Sequence, residues 1–170
     1  MLLFCYHEGM APRVPGSLEC AKMGQDCVFH NLRRAVRAVT QLYDAYFEEL
    51  GIKATQFTVL AVLAHEGEKR PTVTNLAQSL VLEQSSLSRN LAVLERLGLV
   101  ELAAAETDRR QRVVTLTAAG RRVLARGYPI WKRAQAAVTA NVEGDMAAQL
   151  RALRRVTRTA QSLRTRKARR

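Results

Sequence analysis

The sequence predicts a mainly α-helical protein with a small β-hairpin, an α+β fold class. Apolar residues recur at intervals of three and four through most of the chain, which is the spacing of amphipathic helices. Two short runs rich in apolar and β-branched residues, 99–102 and 112–116, lie on either side of a polar stretch at 106–111. Such a pattern is typical of two strands joined by a turn.

The chain is strongly basic. Its 170 residues carry 27 Lys and Arg against 15 Asp and Glu, a formal net charge of +12. This balance favours an anionic partner, nucleic acid first and an acidic membrane surface second. No run approaches the roughly 18 apolar residues of a membrane helix, and no signal peptide is evident. We therefore expect a cytoplasmic protein with reduced thiols and no membrane partner.

Catalytic and metal-binding motifs are missing from the sequence. There is no Gly-rich phosphate loop, no HExxH and no GxSxG. The three cysteines, Cys5, Cys20 and Cys27, have no spacing that suits a metal ion. We therefore expect no enzyme activity, no metal and no cofactor.

The N-terminal half begins with an irregular stretch. Residues 1–24 contain prolines and glycines with little periodicity, which predicts a flexible leader. An amphipathic helix follows from about residue 28 to Gly51, which stops it. A second helix over 55–65 is apolar on most sides, which predicts that it is buried in the core.

Residues 71–97 show the pattern of a helix-turn-helix. Thr72 or Thr74 can cap a short helix by accepting a hydrogen bond from an amide of the first turn. After a break near Val81, a longer helix runs over 83–97 and ends at Gly98.

The C-terminal half contains two further long helices. Thr117 is expected to cap a helix that continues to about residue 142 and is kinked at Pro129. A last helix over 145–163 has an apolar stripe on one side and arginines on the other. The chain then closes with a basic tail, 164–170.

The front of the second helix of the helix-turn-helix is polar. A duplex major groove admits one helix, and Gln, Asn and Arg can each form two hydrogen bonds with a base edge, whereas Ser suits phosphates or bases. The alternative is that these side chains only solvate an exposed helix end. Together with one residue of the preceding helix, the candidates for DNA contact are Thr74, Gln84, Ser85, Ser86, Ser88, Arg89 and Asn90.

The predicted hairpin adds a second group of candidates. Arg109, Arg110 and Arg112 near its tip suit a wing that enters the minor groove. Asp108 is expected to orient the Arg110 guanidinium by a charge-assisted hydrogen bond. The alternative is a solvated surface ion pair, which contributes little.

Several stretches resemble the multiple-antibiotic-resistance regulator (MarR) family of bacterial transcription regulators, over about residues 27–160. The most specific of them are similar to the family's D-x-R wing and to the LTxxG helix start behind it. The matching stretches are 50–57 with Leu60, 76–77, 85–89, 94–100, 108–110 and 114–120. By this resemblance Ser85, Ser86, Ser88 and Arg89 fall on the recognition helix and Arg110 at the wing tip.

The resemblance implies a winged helix-turn-helix, residues 53–117, flanked by dimerisation helices over 25–52 and 118–163. It further implies a homodimer that binds a pseudo-palindromic operator in double-stranded DNA, as a repressor. The first helix and the last two helices carry apolar stripes that are too extensive for one small reader domain to cover. A second copy of the chain would bury them, which agrees with a homodimer.

Relatives in the family commonly release DNA when a small phenolic or aromatic ligand binds between the dimerisation helices and the winged domain. Each candidate also has a simpler explanation, because an aromatic at helical spacing is more often a core residue. The candidates for ligand contact are His30, Arg33, Arg37, Tyr43, Tyr46 and Trp131.

A thiol-based redox sensor is the first alternative. Tyr43 matches a tyrosine that hydrogen-bonds the reactive cysteine in such relatives, but Phe29 occupies the nucleophile position. Cys27 lies two residues earlier, about 200° around a helix. Its place near a helix N-terminus and close to arginines still makes it the candidate for oxidation.

A nonspecific nucleic-acid or membrane-surface protein is the more remote alternative. It would act through the basic tail, because the excess charge is concentrated at the C-terminus. Residues 53–117 carry eight basic and seven acidic side chains, whereas residues 146–170 carry nine basic and no acidic ones. Specific recognition is therefore expected to rest on a few side chains in a nearly neutral domain, with the basic end adding salt-dependent attraction.

Overall fold

The computed structural model describes residues 13–106 and 108–168 and divides the chain into two compact units, 1–41 and 42–170. It confirms the predicted class, with seven α-helices and one antiparallel hairpin in the described part. The elements are α1 (Ser17–Asp26), α2 (Val28–Phe47), α3 (Ala54–Glu66), α4 (Val73–Leu80), α5 (Gln84–Arg96), β1 (Val100–Ala104), β2 (Arg112–Leu116), α6 (Ala118–Asn141) and α7 (Met146–Ala168).

Helix α1 corrects the expectation of a flexible leader for residues 17–24. Glu19 accepts a hydrogen bond from the Gly16 amide at 2.9 Å and pairs with Arg13, so an acidic group caps the positive end of the helix. These contacts lower the pKa of Glu19, the Arg13 guanidinium first and the Gly16 amide second. The rest of the leader, residues 1–12 with Cys5, lies outside the described residues.

The core of the second unit is built around α3. As its apolar sequence predicts, Val59, Leu60 and Leu63 are buried, and Phe57 stacks on Phe47 of α2 with ring centroids 4.5 Å apart. Gly51 follows α2 and a short 3₁₀ turn with φ of 65°, a left-handed conformation that suits glycine.

The helix-turn-helix consists of α4 and α5. Of the two cap candidates, the Thr72 hydroxyl is the one that accepts a hydrogen bond, from the Asn75 amide at 3.1 Å. Val81 ends α4 with φ of 54°, an unusual conformation for a β-branched residue, and the chain reverses into α5. The buried face of α5 carries Leu87, Leu91 and Leu94.

The hairpin of β1 and β2 packs beside α5 and α3. Its register places Val100 opposite Leu116 and Ala104 opposite Arg112. The segment before α4 joins its edge, because the Pro71 carbonyl accepts a hydrogen bond from the Val114 amide at 3.0 Å. The wing is thereby held against the core at its base.

Helices α6 and α7 complete the second unit. Thr117 caps α6 as predicted, by accepting a hydrogen bond from the Gly120 amide at 3.0 Å, and α6 continues through Pro129. Helix α7 reaches Ala168, so the part of the basic tail at 164–168 is helical. Strong helix formers and the absence of Gly and Pro between 146 and 168 account for this difference. Arg169 and Arg170 lie outside the described residues.

None of the described helices is both long enough and apolar enough to span a bilayer.

Candidate nucleic-acid interface

Helix α5 separates its residues into a buried and an exposed side. Leu87 and Leu91 anchor it on the core, while Gln84, Ser85 and Arg89 are exposed. The polar front therefore faces solvent and is free to approach a large ligand.

Hydrogen bonds within α5 divide its polar residues into two groups. The Ser88 hydroxyl donates to the Gln84 carbonyl at 2.8 Å, and the Asn90 side-chain amide donates to the Ser86 carbonyl at 3.3 Å. The Arg89 guanidinium donates to the Ser86 hydroxyl at 3.2 Å, which holds it along the helix. Arg89 is thus partly oriented before any ligand binds, whereas Ser88 and Asn90 each use one donor on the backbone and keep acceptor capacity for other partners.

An open groove lies between α4, α5 and the wing. It collects five of the predicted DNA-contact residues, which come from α4, α5, β2 and the wing turn: Thr74, Gln84, Ser88, Arg110 and Arg112. The remaining candidates lie outside its lining, on α5 or in the wing turn. The groove is also lined by Thr72, Glu95 and Gln111, which are not among the DNA-contact residues predicted from the sequence. For Gln111, its position next to Arg110 in the sequence could have indicated a place in this groove.

The wing turn overturns the expected pairing of Asp108 with the Arg110 guanidinium. Asp108 Oδ1 accepts a hydrogen bond from the backbone amide of Arg110 at 3.0 Å, and Oδ2 accepts one from the Gln111 side chain at 3.2 Å. A short acidic side chain in a turn reaches the amide two residues ahead more easily than the end of a long arginine. Asp108 therefore shapes the turn backbone and leaves the exposed Arg110 side chain to other partners.

Arg112 is also placed differently from the expectation that it belongs to the wing tip. It is the first residue of β2, and its guanidinium donates to the Leu102 carbonyl across the hairpin at 3.1 Å. The same group lies 3.9 Å from the Glu95 carboxylate of α5. Arg112 thus links the wing to α5, and the exposed arginines of the wing tip are Arg109 and Arg110.

In the first unit, the predicted ligand residues lie on exposed surface of α2. Arg33 and Arg37 line an open depression with Phe29, Leu32 and Val36. The Arg33 guanidinium lies 5.9 Å from the centre of the Phe29 ring, within cation–π distance. His30 is exposed and is not part of this lining.

In the second unit, the aromatic candidates occupy separate places. The half-buried Tyr43 donates a hydrogen bond to Gln135 Oε1 at 2.7 Å, and burial raises the pKa of Tyr43. Tyr46 lines a shallow depression beside the ion pair of Arg133 with Glu49.

Trp131 is about one-third exposed and stacks on Tyr128, with ring centroids 5.8 Å apart. Tyr43, Tyr46 and Trp131 therefore have different neighbours within the second unit.

Cys27 is exposed and lies between α1 and α2. Its sulfur accepts a hydrogen bond from the His30 amide at 3.5 Å, at the first turn of α2. Within the described ranges, no group of three His, Cys, Asp or Glu side chains is arranged to hold a metal ion.

Comparisons with known proteins agree on one family. The MarR family model matches residues 50–111, which include the helix-turn-helix and most of the wing. The M. tuberculosis transcriptional regulator MosR, in its crystal structure with DNA, has 36% sequence identity to this chain and superposes with a TM-score of 0.74. The match covers 82% of this chain and 99% of the MosR chain. The chain belongs to the MarR family. It is a transcriptional regulator whose fold contains the family's DNA-binding winged helix.

Two further proteins are similar to this chain. A curated relative, the transcriptional activatory protein BadR of Rhodopseudomonas palustris, is 37% identical over 82 residues. That match spans 45% of this chain and less than half, 44%, of BadR. A mutant MarR of E. coli in complex with operator DNA shares the fold, with a TM-score of 0.67 at 24% identity over 79% of this chain and 96% of that one.

Proposed function

We propose that this MarR-family regulator binds a pseudo-palindromic operator as a homodimer and represses the adjacent genes until a small aromatic ligand releases it. The groove between α4, α5 and the wing is the observation that carries the proposal. It presents Gln84 and Ser88 of the recognition helix α5 on the same open surface as Arg110 of the wing.

The chemistry of this surface suits a duplex. Gln84 and Arg89 can each form two hydrogen bonds with a base edge when α5 lies in a major groove. In the proposed complex Arg110, at the wing turn, enters the neighbouring minor groove, where the negative potential attracts a guanidinium. Because residues 53–117 are nearly neutral, specificity rests on these placed side chains.

A homodimer is supported by exposed apolar residues on helices outside the reader segment. On α2, Val36 and Phe29 are 63% and 70% exposed, and on α7 Leu153 is 46% exposed. A second copy would cover such faces. The proposed division is that residues 25–52 and 118–163 dimerise and residues 53–117 read DNA.

The proposed effector is a small aromatic carboxylate that contacts Arg33 and Arg37. Their open depression combines two cations with the apolar side chains of Phe29 and Val36, which matches a ligand with an anionic end and an apolar ring. Benzoate serves as a probe. It should weaken operator binding by the wild type and leave the Arg33→Ala/Arg37→Ala variant unaffected; equal affinity with and without benzoate would exclude this ligand class.

The direction of regulation depends on where the operator lies relative to a promoter. BadR is named an activatory protein. We propose that the operator of this chain overlaps a promoter. A dimer bound there would exclude RNA polymerase and so repress transcription. A reporter driven by the promoter next to the selected operator should rise when the protein is removed, and a fall would show activation.

The proposed function is tested by selecting binding sites from random duplexes and then measuring the affinity of variants for the recovered site. Arg110→Ala should weaken operator binding by about 1–3 kcal/mol, the usual cost of removing one groove contact. Arg126→Ala, which removes an exposed arginine of α6, is the matched control and should bind as the wild type does. Unchanged affinity of the Arg110 variant would refute its role.

A thiol sensor is retained as the second candidate, because Cys27 is exposed and its sulfur lies at the N-terminal turn of α2. Organic hydroperoxide should then lower the operator affinity of the wild type but not that of Cys27→Ser. Equal affinity of the wild type before and after oxidation would remove this alternative.

A further inference from the structure

The C-terminal end of α7 lies beside the helix-turn-helix of its own chain. Gln161 and Arg164 line an open concavity together with Thr74 and Gln78 of α4 and Gln84 of α5. The groove that contains the proposed DNA-reading residues also includes Thr74 and Gln84. The end of α7 is therefore adjacent to the surface through which the regulator would meet a duplex.

This end of the chain is a helix, which gives its charges defined positions. Arg164 and Lys167 are three residues apart, so they lie on the same side of α7. Both are exposed.

The end of α7 adds positive charge beside α4 and the start of α5. Between residues 146 and 168 the sequence contains seven Lys and Arg and no acidic residue, whereas the reader segment 53–117 is close to neutral. A phosphate backbone that passes α4 and the start of α5 would therefore meet the positive charge of Arg164 in addition to that of Arg89 on α5.

In a helix-turn-helix complex the first helix crosses the phosphate backbone while the second enters the major groove. Thr74 lies on the exposed face of that first helix, α4, and shares its concavity with Arg164. We infer that Arg164, assisted by Lys167, binds a phosphate of the duplex beside the recognition helix, which makes α7 a third DNA-contacting element after α5 and the wing. The inference rests on the proposed operator binding.

A purely structural role of these cations makes a different prediction. Lys167 lies in the last turn of α7, where a positive side chain stabilises the negative end of the helix without any ligand, and Arg164 lies one turn earlier. That role would change the helical content and the melting temperature but not the number of counterions released by DNA. Glu83 lines the same concavity, and its negative charge would weaken a phosphate contact made there. The total affinity can therefore change little when Arg164 is removed, whereas the salt dependence of binding still reports the lost phosphate contact.

The test is a salt titration of binding to the duplex recovered by site selection and to a random duplex of equal length. Arg164→Ala should reduce the slope of log affinity against log salt by about 0.9 for each phosphate that the variant no longer neutralises, on both duplexes. Arg164→Lys keeps the charge and should retain the wild-type slope. Arg155→Ala is the matched control, because Arg155 is an exposed arginine of α7 that lies nine residues earlier, about 180° around the helix.

The outcomes separate the inference from the proposed function. An unchanged slope for Arg164→Ala, or an equal reduction for Arg155→Ala, overturns the α7 contact. A reduced slope for Arg164→Ala alone, with an unaltered circular dichroism spectrum, supports it. If site selection with the wild type enriches no DNA sequence, the proposed function fails. If a sequence is enriched but Arg164→Ala leaves the slope of log affinity against log salt unaltered, only the α7 contact is overturned.

Discussion

At the scale of single residues, the wing turn shows how a short carboxylate fixes the backbone of a turn and leaves the arginine side chain of that turn unpaired with it. Asp108 bonds to the backbone amide of Arg110 and to the Gln111 side chain. We therefore expect Asp108 to act on DNA recognition through the shape of the turn, while the Arg110 guanidinium keeps its donors for a ligand.

This geometry predicts different results for two substitutions of Asp108. Asp108→Asn retains an oxygen that can accept from the Arg110 amide, so operator affinity should stay close to that of the wild type. Asp108→Ala removes the acceptors of both hydrogen bonds and should weaken binding by about 1–2 kcal/mol, because the turn must then be ordered when DNA binds. Gel-shift titration of both variants checks this, and an equal loss in both would show that the charge of Asp108 matters instead.

Tyr43 is a residue whose long-range contact has a measurable pH dependence. Its hydroxyl donates to Gln135, 92 residues along the chain, and burial raises its pKa because the phenolate is poorly solvated there. The folded state therefore holds this proton more tightly than the unfolded chain. The stability from Tyr43 is fully present below the unfolded pKa of about 10 and is lost as the pH rises through the folded pKa.

We expect Tyr43→Phe to reduce the free energy of unfolding by about 1 kcal/mol at pH 7, because phenylalanine cannot donate the hydrogen bond to Gln135. The difference between wild type and variant should shrink above a pH of about 10, since only the wild type loses the Tyr43 contribution. Urea unfolding across this pH range measures it. A difference that stays constant to a pH of about 11 would show that Tyr43 titrates as it does in the unfolded chain.

At the scale of elements, the start of α6 is packed directly on the base of the wing. A Cβ placed on Gly120 would lie 2.1 Å from the Leu99 carbonyl oxygen and 2.6 Å from Leu116 Cδ1. The Thr117 hydroxyl caps the same turn and also donates to the Gly98 carbonyl at 2.7 Å. The glycine of the LTxxG stretch is thus required because backbone occupies the space of its side chain.

Gly120→Ala should therefore destabilise the protein by about 3 kcal/mol, since the clashing carbonyl of Leu99 directly precedes β1 and is held by a hydrogen bond from the Thr117 amide. Gly24→Ala is the matched control, because a Cβ on Gly24 in α1 meets no atom within 4 Å. That control should change stability by no more than about 1 kcal/mol, in the stabilising direction. Thermal unfolding of both variants measures the difference, and equal melting temperatures would contradict the packing argument.

At the scale of the whole molecule, several helices leave apolar side chains in solvent. Val28, Phe29 and Val36 of α2 are each more than 60% exposed. Several large apolar side chains exposed on one helix are typical of a surface that binds another protein. Four apolar side chains of α7 are also exposed, at positions 150, 153, 156 and 163. These faces are the reason for proposing a dimer.

The proposed dimer predicts that a charge on the apolar face of α2 separates the subunits. Val36→Asp should shift the molecular mass in sedimentation equilibrium from that of two chains towards one and weaken operator binding. Gln41→Asp introduces the same carboxylate at another exposed site of α2, about 140° around the helix, and should remain dimeric. A wild type that sediments as a single chain at micromolar concentration would rule out the dimer.

Much of the fold follows from local sequence. The spacing of apolar residues predicts α3, α5 and both strands to within a few residues, and Thr117 and Gly51 act where their chemistry suggests. Helix α1 was missed although Glu19 carried the signal, since an acidic group three residues after Gly16 can cap a helix without an apolar stripe.

The sequence by itself determined the class of fold, the polar front of α5 and the resemblance to the MarR family, because these depend on side chains within a few residues of one another. Only the tertiary structure decided that Asp108 binds a backbone amide, that Arg112 faces α5, and that Arg164 lines the same concavity as Thr74. The physical reason is that the spacing of apolar residues along a helix or a strand indicates only which side of that element is apolar. The partner of a polar side chain across the fold depends on how distant elements pack, which no local period records.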